Sequence, residues 1–368
     1  MRKGFCALLM ILCLVLALVP AASAEPEAVA KAIVGGAEKE YNNLPAAVEA
    51  ADQNTTVYLC QDTTITASLA IYKKITLDLG GNVLSIRTGW GGINAYSGCS
   101  IQNGTIDYVG NVAAIRVFDV ELLDNLAIQV KAKDAGRVTG GVVVQEGTAS
   151  HLGTIRNTVI NGPVNGIETH KCGHAPAPVI GLLENVTIDA TRAALWISAP
   201  CGTAKNCSFT GNEYGIDMYL TNVWSATLTL EDCDVTGGDT AVHFYDEWGN
   251  KKNPGKIELE VDDKSTFTSA EGKPALKADV EEEEKYEPED VFGEMSGICA
   301  QTNADGSISY FAEHSYNADG LCTVCGHSNV VAKAPQTGDN SQLALWSAML
   351  ILSGMVMLHM SRKEKYGR

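Results

Sequence analysis

Acidic, imidazole and aromatic side chains recur at intervals through the middle of this 368-residue sequence. Aromatic rings stack on sugar faces, while carboxylates and imidazoles bind hydroxyl groups or move protons. Such residues on one elongated face predict a groove for a polysaccharide or another surface ligand. The candidates are Glu168, His170, Trp196, Asp217, Tyr219, His243, Tyr245, Asp246 and Glu247.

A glycoside hydrolase is one interpretation of this set. It would use Asp217 with Asp246 or Glu247 as acid and base, and the distance between the carboxyl groups would decide the mechanism. The alternative is a face without catalysis, because the outward residues of any exposed strand are polar or aromatic.

A polysaccharide lyase is a second catalytic interpretation. It needs a base and a cation to remove a proton beside a uronate, for which His170, Lys171 and His243 are candidates. His170 and His174 could instead hold a metal ion, or simply belong to a surface loop.

A six-residue motif is repeated along the same part of the chain, and the structure it forms must position these side chains. It opens with a small or aliphatic residue, has Asn or Asp third and ends with an apolar residue. Its polar positions are Asn103, Asn125, Asn157, Asn185, Asn206 and Asp232. Such spacing is typical of stacked units that cannot bury an apolar face alone. Because no helical period separates the apolar segments, the pattern predicts β-strands.

A second segment with the pattern of a β-strand follows each repeat. Its predicted inward residues are Ile115, Val143, Ile167, Leu195, Ile216 and Val242. Alternate residues of a strand face opposite sides, so their neighbours point outward. Stacked coils would then align these outward residues in two adjacent stripes. The first stripe contains Glu168, Trp196, Asp217 and His243, and the second contains His170, Ser198, Tyr219 and Tyr245.

Over roughly residues 50–275 the repeat resembles the right-handed parallel β-helix of the pectin-lyase-like superfamily. The resemblance implies an all-β solenoid with an inward ladder of the six Asn and Asp residues, bonded to the backbone at a buried turn. It implies no single activity, because this fold hosts lyases, hydrolases and adhesins. The catalytic motifs of polygalacturonases and pectate lyases are missing from the sequence.

Composition divides the chain into five regions. Residues 1–24 form a signal peptide with a basic start, an apolar stretch and a small-residue cleavage site; the alternative is an uncleaved membrane anchor. The β-helix is predicted over 38–275 and an acidic linker over 276–292. Residues 293–330 form a small Cys/His segment, and residues 331–368 a sorting signal.

One short capping helix is predicted over 43–51. Asn42 or Asn43 is its N-cap, and Pro45 lies in its first turn. A cap is needed because the end of a solenoid exposes unpaired strand edges and apolar core.

The cysteines fall into two predicted groups. Cys99, Cys207 and Cys233 occupy repeat positions and are expected to be buried free thiols. In the small segment, a zinc site is one interpretation. A Cys322–Cys325 pair and no special chemistry are the alternatives. The candidate zinc ligands are His314, Cys322, Cys325 and His327.

The C-terminus resembles a sortase cell-wall sorting signal. Pro335, Gln336, Thr337 and Gly338 precede an apolar stretch over 343–360, expected to be a transmembrane helix, and a basic tail. The resemblance implies that a sortase cysteine attacks the Thr337 carbonyl and breaks the bond to Gly338. A peptidoglycan amine then takes the Thr337 acyl group. Ala334 replaces the usual leucine of the motif, and a simple membrane anchor is the alternative.

Charge limits the class of partner. The 44 acidic and 27 basic residues give a net charge of −17, which argues against nucleic-acid binding. The sequence therefore predicts an adhesin-like protein on a Gram-positive cell wall, with sortase, peptidoglycan and a polysaccharide or host surface as partners. A wall-anchored lyase or hydrolase and a structural wall protein are the alternatives.

Overall fold

The computed structural model describes residues 28–134, 136, 139–145, 150–169, 179–220, 226–246, 257–262, 264–270, 273, 275–280, 299–302, 308–311, 317, 321 and 322. The chain divides into two units, Met1–Ala312 and Glu313–Arg368. In the second unit, the Asn317 N–H donates to the Leu321 carbonyl oxygen at 2.9 Å, and the Leu321 N–H donates to Asn317 Oδ1 at 3.0 Å.

The first unit consists of short strands and one described helix, α1 (Leu44–Ala50). In chain order the strands are β1 (Ala30–Val34), β2 (Ala37–Tyr41), β3 (Thr56–Leu59), β4 (Thr63–Ile65), β5 (Leu69–Ile71), β6 (Thr76–Asp78), β7 (Val83–Arg87), β8 (Ile93–Ala95), β9 (Cys99–Gly110), β10 (Ala113–Val117), β11 (Asp119–Ala132), β12 (Gly140–Val144), β13 (His151–Asn161), β14 (Asn165–Thr169), β15 (Val179–Ala190), β16 (Ala193–Ile197), β17 (Pro200–Lys205), β18 (Ser208–Gly211), β19 (Tyr214–Leu220), β20 (Ala226–Glu231), β21 (Asp234–Gly237), β22 (Thr240–Asp246), β23 (Ile257–Val261), β24 (Thr266–Ser269), β25 (Leu276–Val280), β26 (Cys299–Thr302) and β27 (Ile308–Phe311).

Two long sheets contain all of these strands. The first sheet has the order β2-β1-β3-β6-β9-β11-β13-β15-β17-β20-β23, and β4, β7, β18, β21 and β24 extend it alongside. The second has the order β5-β8-β10-β12-β14-β16-β19-β22-β25-β27-β26. Strands of successive coils pair in parallel, as β10 does with β12 and β11 with β13. The predicted all-β parallel solenoid is confirmed.

The first sheet bends at the repeated Asn or Asp, so that the backbone of these coils runs in different directions before and after that residue. All six ladder residues have positive φ, from 50° at Asn157 and Asn206 to 61° at Asn103. Asn and Asp tolerate this left-handed conformation better than other residues with a side chain. Two continuous strands, β9 and β11, therefore change direction at Asn103 and Asn125 without losing their pairing on either side.

The ladder lies outside the coil, which corrects the predicted buried turn. Asn125, Asn157, Asn185, Asn206 and Asp232 are exposed. The amides of the four asparagines donate to side chains rather than to the backbone of the next coil. Strict alternation would turn Asn103 inward with Ile101. The positive φ reverses that direction, and the next residues, such as Leu126 and Cys207, turn into the core instead.

Apolar residues of the repeat fill the core in vertical columns. Ile101, Leu123, Ile155, Leu183, Ala204 and Leu230 pair in register and are all fully buried. A second column carries Ile188 and then Phe209, also fully buried. The coil with the small Ala204 thus carries the large Phe209, which keeps the core filled.

One core position differs from its prediction by a single residue. Ile115 pairs with Val142, not with the predicted Val143, and Val142 pairs with Ile167. All five residues of β12 are buried, so no polar position in its sequence marks the outer face. Without that alternation, sequence alone leaves the register open.

Both ends of the solenoid extend past the predicted limits of 38 and 275. At the start, β1 pairs antiparallel with β2 and β3, and α1 buries Leu44, Ala47 and Val48. At the other end, β25 continues the second sheet, and residues 299–302 and 308–311 of the predicted Cys/His segment form an antiparallel hairpin beside it. These antiparallel strands cover edges that parallel stacking would leave unpaired.

The predicted helix cap is confirmed, and so are the core thiols. Asn43 Oδ1 accepts the Ala46 N–H at 2.9 Å, and Pro45 lies in the first turn. Cys99, Cys207 and Cys233 are buried and free. Burial raises the pKa of the Cys99 thiol to about 12, which keeps it protonated.

The predicted signal peptide, the residues 281–292 of the linker, and the sorting signal with its apolar stretch 343–360 lie outside the described residues. Within the described ranges, no helix is long and apolar enough to cross a membrane.

We expect Asn185→Ala to lower the free energy of unfolding by about 1–2 kcal/mol, because alanine is strained in the left-handed region. Asn185→Gly removes the same amide but has no such strain, so it should lower stability less. Urea unfolding of the full chain measures both. Equal losses would mean that the ladder hydrogen bonds, and not the backbone, set the cost.

Candidate functional site

The structure aligns the first predicted stripe across four neighbouring strands of the second sheet. Glu168 pairs with Trp196, Trp196 with Asp217, and Asp217 with His243. In the second stripe, Tyr219 pairs with Tyr245. The sequence thus predicted which residues become neighbours across coils.

The acidic and imidazole members of the first stripe are buried, although the sequence indicated an open face. Glu168 is 8% exposed, Asp217 2% and His243 6%. The Tyr214 ring stacks on the His243 imidazole with centroids 4.5 Å apart. The Tyr245 ring is nearly parallel to the same imidazole, with centroids 6.0 Å apart. Aromatic rings therefore contact the imidazole and hold its plane.

Asp217 is the centre of the buried network. Its Oδ1 lies 2.9 Å from His243 Nδ1, and its Oδ2 accepts a hydrogen bond from Arg192 Nη2. The carboxylate thus fixes the imidazole orientation, and at 2% exposed it presents almost no surface to a substrate. That finding argues against its predicted pairing with Asp246 or Glu247.

Arg192 connects this centre to the acidic end of the stripe. Its Nη1 donates to Asn165 Oδ1 at 3.0 Å, and Asn165 Nδ2 donates to Glu168 Oε2 at 2.8 Å. The guanidinium also lies over the Trp196 ring, 5.4 Å from its centroid. One partly exposed cation thus pairs with the buried Asp217 carboxylate and packs against an aromatic surface.

Sequence reasoning missed Asn165, Arg192 and Tyr214. Strict alternation counts Asn165 and Tyr214 on the inner side with Ile167 and Ile216, because they lie an even number of residues away. All three lie at or just before the start of a strand, where the preceding turn sets the side-chain direction.

A row of stacked rings on the same sheet was also missed. Tyr72, Tyr96 and Phe118 stack with centroids 4.8 and 4.2 Å apart, and Arg116 lies over the Phe118 ring. By register they occupy the column that later contains Tyr219 and Tyr245. Tyr72 is 68% exposed, so the row ends on an open ring.

Several predicted site residues cannot be placed. His170, Lys171, His174, Glu247, His314, Cys325, His327 and Pro335 to Gly338 lie outside the described residues. Asp246 ends β22, but its side chain is not described; Cys322 is buried. Among the described residues, no group of three or more His, Cys, Asp or Glu could hold a metal ion.

We expect Asp217→Ala to destabilise the full chain by roughly 2–3 kcal/mol, because it leaves the hydrogen-bonding groups of Arg192 and His243 without their acceptor. The matched control is Asp239→Ala. That carboxylate pairs with Lys273 at 3.2 Å, but both side chains are more than half exposed, so its loss should be nearly neutral. Urea unfolding compares them, and equal shifts would contradict a structural role for the buried network.

Comparison with known proteins identifies no relative of the chain. No protein-family model, no curated protein and no solved structure matches the chain.

Proposed function

We propose that the chain is a surface protein of a Gram-positive bacterium and that the outer face of its second sheet binds carbohydrate or a host surface. The observation that carries this proposal is two groups of rings in one column of this sheet. Tyr72, Tyr96 and Phe118 form the first group; Tyr219 and Tyr245 form the second, with Trp196 and Arg192 near it. Rings at coil spacing offer stacking surfaces to an extended polymer, and the adjacent charged network offers hydrogen bonds. A right-handed coil belongs to this proposal, because parallel crossovers are almost always right-handed.

Anchoring to peptidoglycan through Thr337 is the second part of the proposal. It rests on the resemblance of residues 334–368 to a sorting signal and of residues 1–24 to a signal peptide. In this arrangement a sortase would exchange the Thr337–Gly338 peptide bond for a bond to a wall amine.

A polysaccharide lyase is the alternative function, and two contacts of Asp217 favour it. His243 is oriented by Asp217 through Nδ1, and Arg192 binds the other carboxylate oxygen. Asp217 therefore joins an imidazole base and a guanidinium cation in one network, and proton removal next to a uronate requires a base and a cation.

The binding proposal is tested with cells that display the full chain on printed glycans. Trp196→Ala should weaken retention by about tenfold, as expected for the loss of an aromatic anchor. The control is Val179→Ala, an exposed apolar residue that begins β15 in the first sheet. Release of unsaturated oligosaccharides, lost in His243→Ala, would replace the binding function by the lyase. Retention on anionic glycans that ignores Trp196 would contradict both.

The anchoring proposal is tested by fractionating a Gram-positive host that expresses the full chain. Muramidase digestion should release the wild-type chain with attached wall fragments, because the link to the wall is covalent. Thr337→Ala should move it to the membrane fraction and the medium, whereas the control Thr323→Ala should not. Wall attachment that survives Thr337→Ala would contradict the proposed linkage.

A further inference from the structure

A groove of about 720 Å³ lies along the bend of the first sheet. Its lining comes from five successive coils, so it extends roughly 19 Å along the solenoid at the usual strand spacing. The lining residues are Tyr58, Asp78, Gly80, Gly81, Asn103, Gly104, Thr105, Asn125, Leu126, Ala127, Asn157 and Val159. This volume falls within the range of small-molecule sites.

Missing side chains create the depression. Gly81 has a φ of +83° with open space where a Cβ would lie, and Ala127 is short. Gly104 is required by packing, because a Cβ there would lie 2.5 Å from Leu79 Cβ. The partly exposed side chains of Tyr58 and Val159 flank the low region.

The ladder of amides is interrupted inside this groove. Asn125 Nδ2 donates to Asn103 Oδ1 at 3.1 Å, but Asn157 Nδ2 donates to Asp124 Oδ1 at 3.0 Å instead of continuing to Asn125. Within the described residues, Asn125 Oδ1 therefore accepts no hydrogen bond. The interruption leaves an exposed amide acceptor in the groove.

The chemistry of the lining selects the class of ligand. No described lining residue is cationic, and the Asp78 carboxylate is the one charged group among them. That carboxylate already accepts hydrogen bonds from Gly80, Gln102 and Asn103. Amides both donate to and accept from hydroxyl groups, and the Tyr58 ring, 44% exposed, offers a stacking surface. An anionic ligand would meet only the negative charge.

We propose that this groove is a second binding site, for a neutral, hydroxyl-rich oligosaccharide that lies along the solenoid axis. The site rests on its own lining and does not depend on the function proposed for the second sheet. Its ligand class also differs, because the other face presents Arg192 and this groove presents neutral amides.

Isothermal titration of the purified full chain tests the site with cellotetraose, maltotetraose and tetra-N-acetylchitotetraose, and with tetragalacturonate as the anionic comparison. At least one neutral probe should bind more tightly than tetragalacturonate. Tyr58→Ala should weaken that binding roughly three- to tenfold. Asn125→Gly, which tolerates the positive φ, should also weaken it, and Ala127→Trp should block it.

The chain offers matched controls for these variants. Asn206 has a φ of 50°, against 52° at Asn125, and it too donates to the preceding ladder amide while its own Oδ1 receives no bond from the described residues. Asn206→Gly should bind the neutral probe like the wild type, and so should Val179→Ala, which shortens an exposed apolar side chain of the first sheet outside the groove lining. The proposal is overturned if no neutral probe binds, if tetragalacturonate binds as tightly, or if Asn206→Gly weakens binding as much as Asn125→Gly.

Discussion

The left-handed residue in each coil is the constraint on which the rest of this structure depends. Six Asn or Asp residues with positive φ turn continuous backbone from one face of the first sheet to the next. A parallel sheet can follow that turn only if neighbouring coils turn at the same register. The repeat therefore fixes the corner, the stacking and the direction of the side chains on both sides of it.

Charges outside the core reinforce the same register. Asp124, Arg156, Glu184, Lys205 and Glu231 pair in sequence across five coils and alternate in sign. Arg156 bonds Asp124 at 2.8 Å and thereby lowers the pKa of that carboxyl. A slip by one coil would place like charges together, so these surface pairs act on specificity more than on stability.

The two proposed binding regions use the fold in different ways. On the second sheet, residues at equivalent positions of successive coils converge on a buried carboxylate, Asp217, and a cation lies over the surrounding rings. In the groove of the first sheet, short side chains at the bend leave room, and the interrupted amide ladder supplies polar groups. One device, repetition at fixed spacing, thus produces both a compact charged network and an elongated neutral groove.

The sequence by itself determined the repeating strands, most core residues, the helix cap at Asn43 and the alignment of Glu168, Trp196, Asp217 and His243. These follow from local spacing and alternation, which the chain carries directly. Tertiary structure decided the side-chain directions and strand registers that do not follow from the alternation of apolar and polar residues. The positive φ turned the Asn ladder outward, burial on both faces set the register of β12, and turns brought Arg192 and Asn165 to the site. The groove, too, exists only when coils stack, because its walls come from residues far apart in sequence.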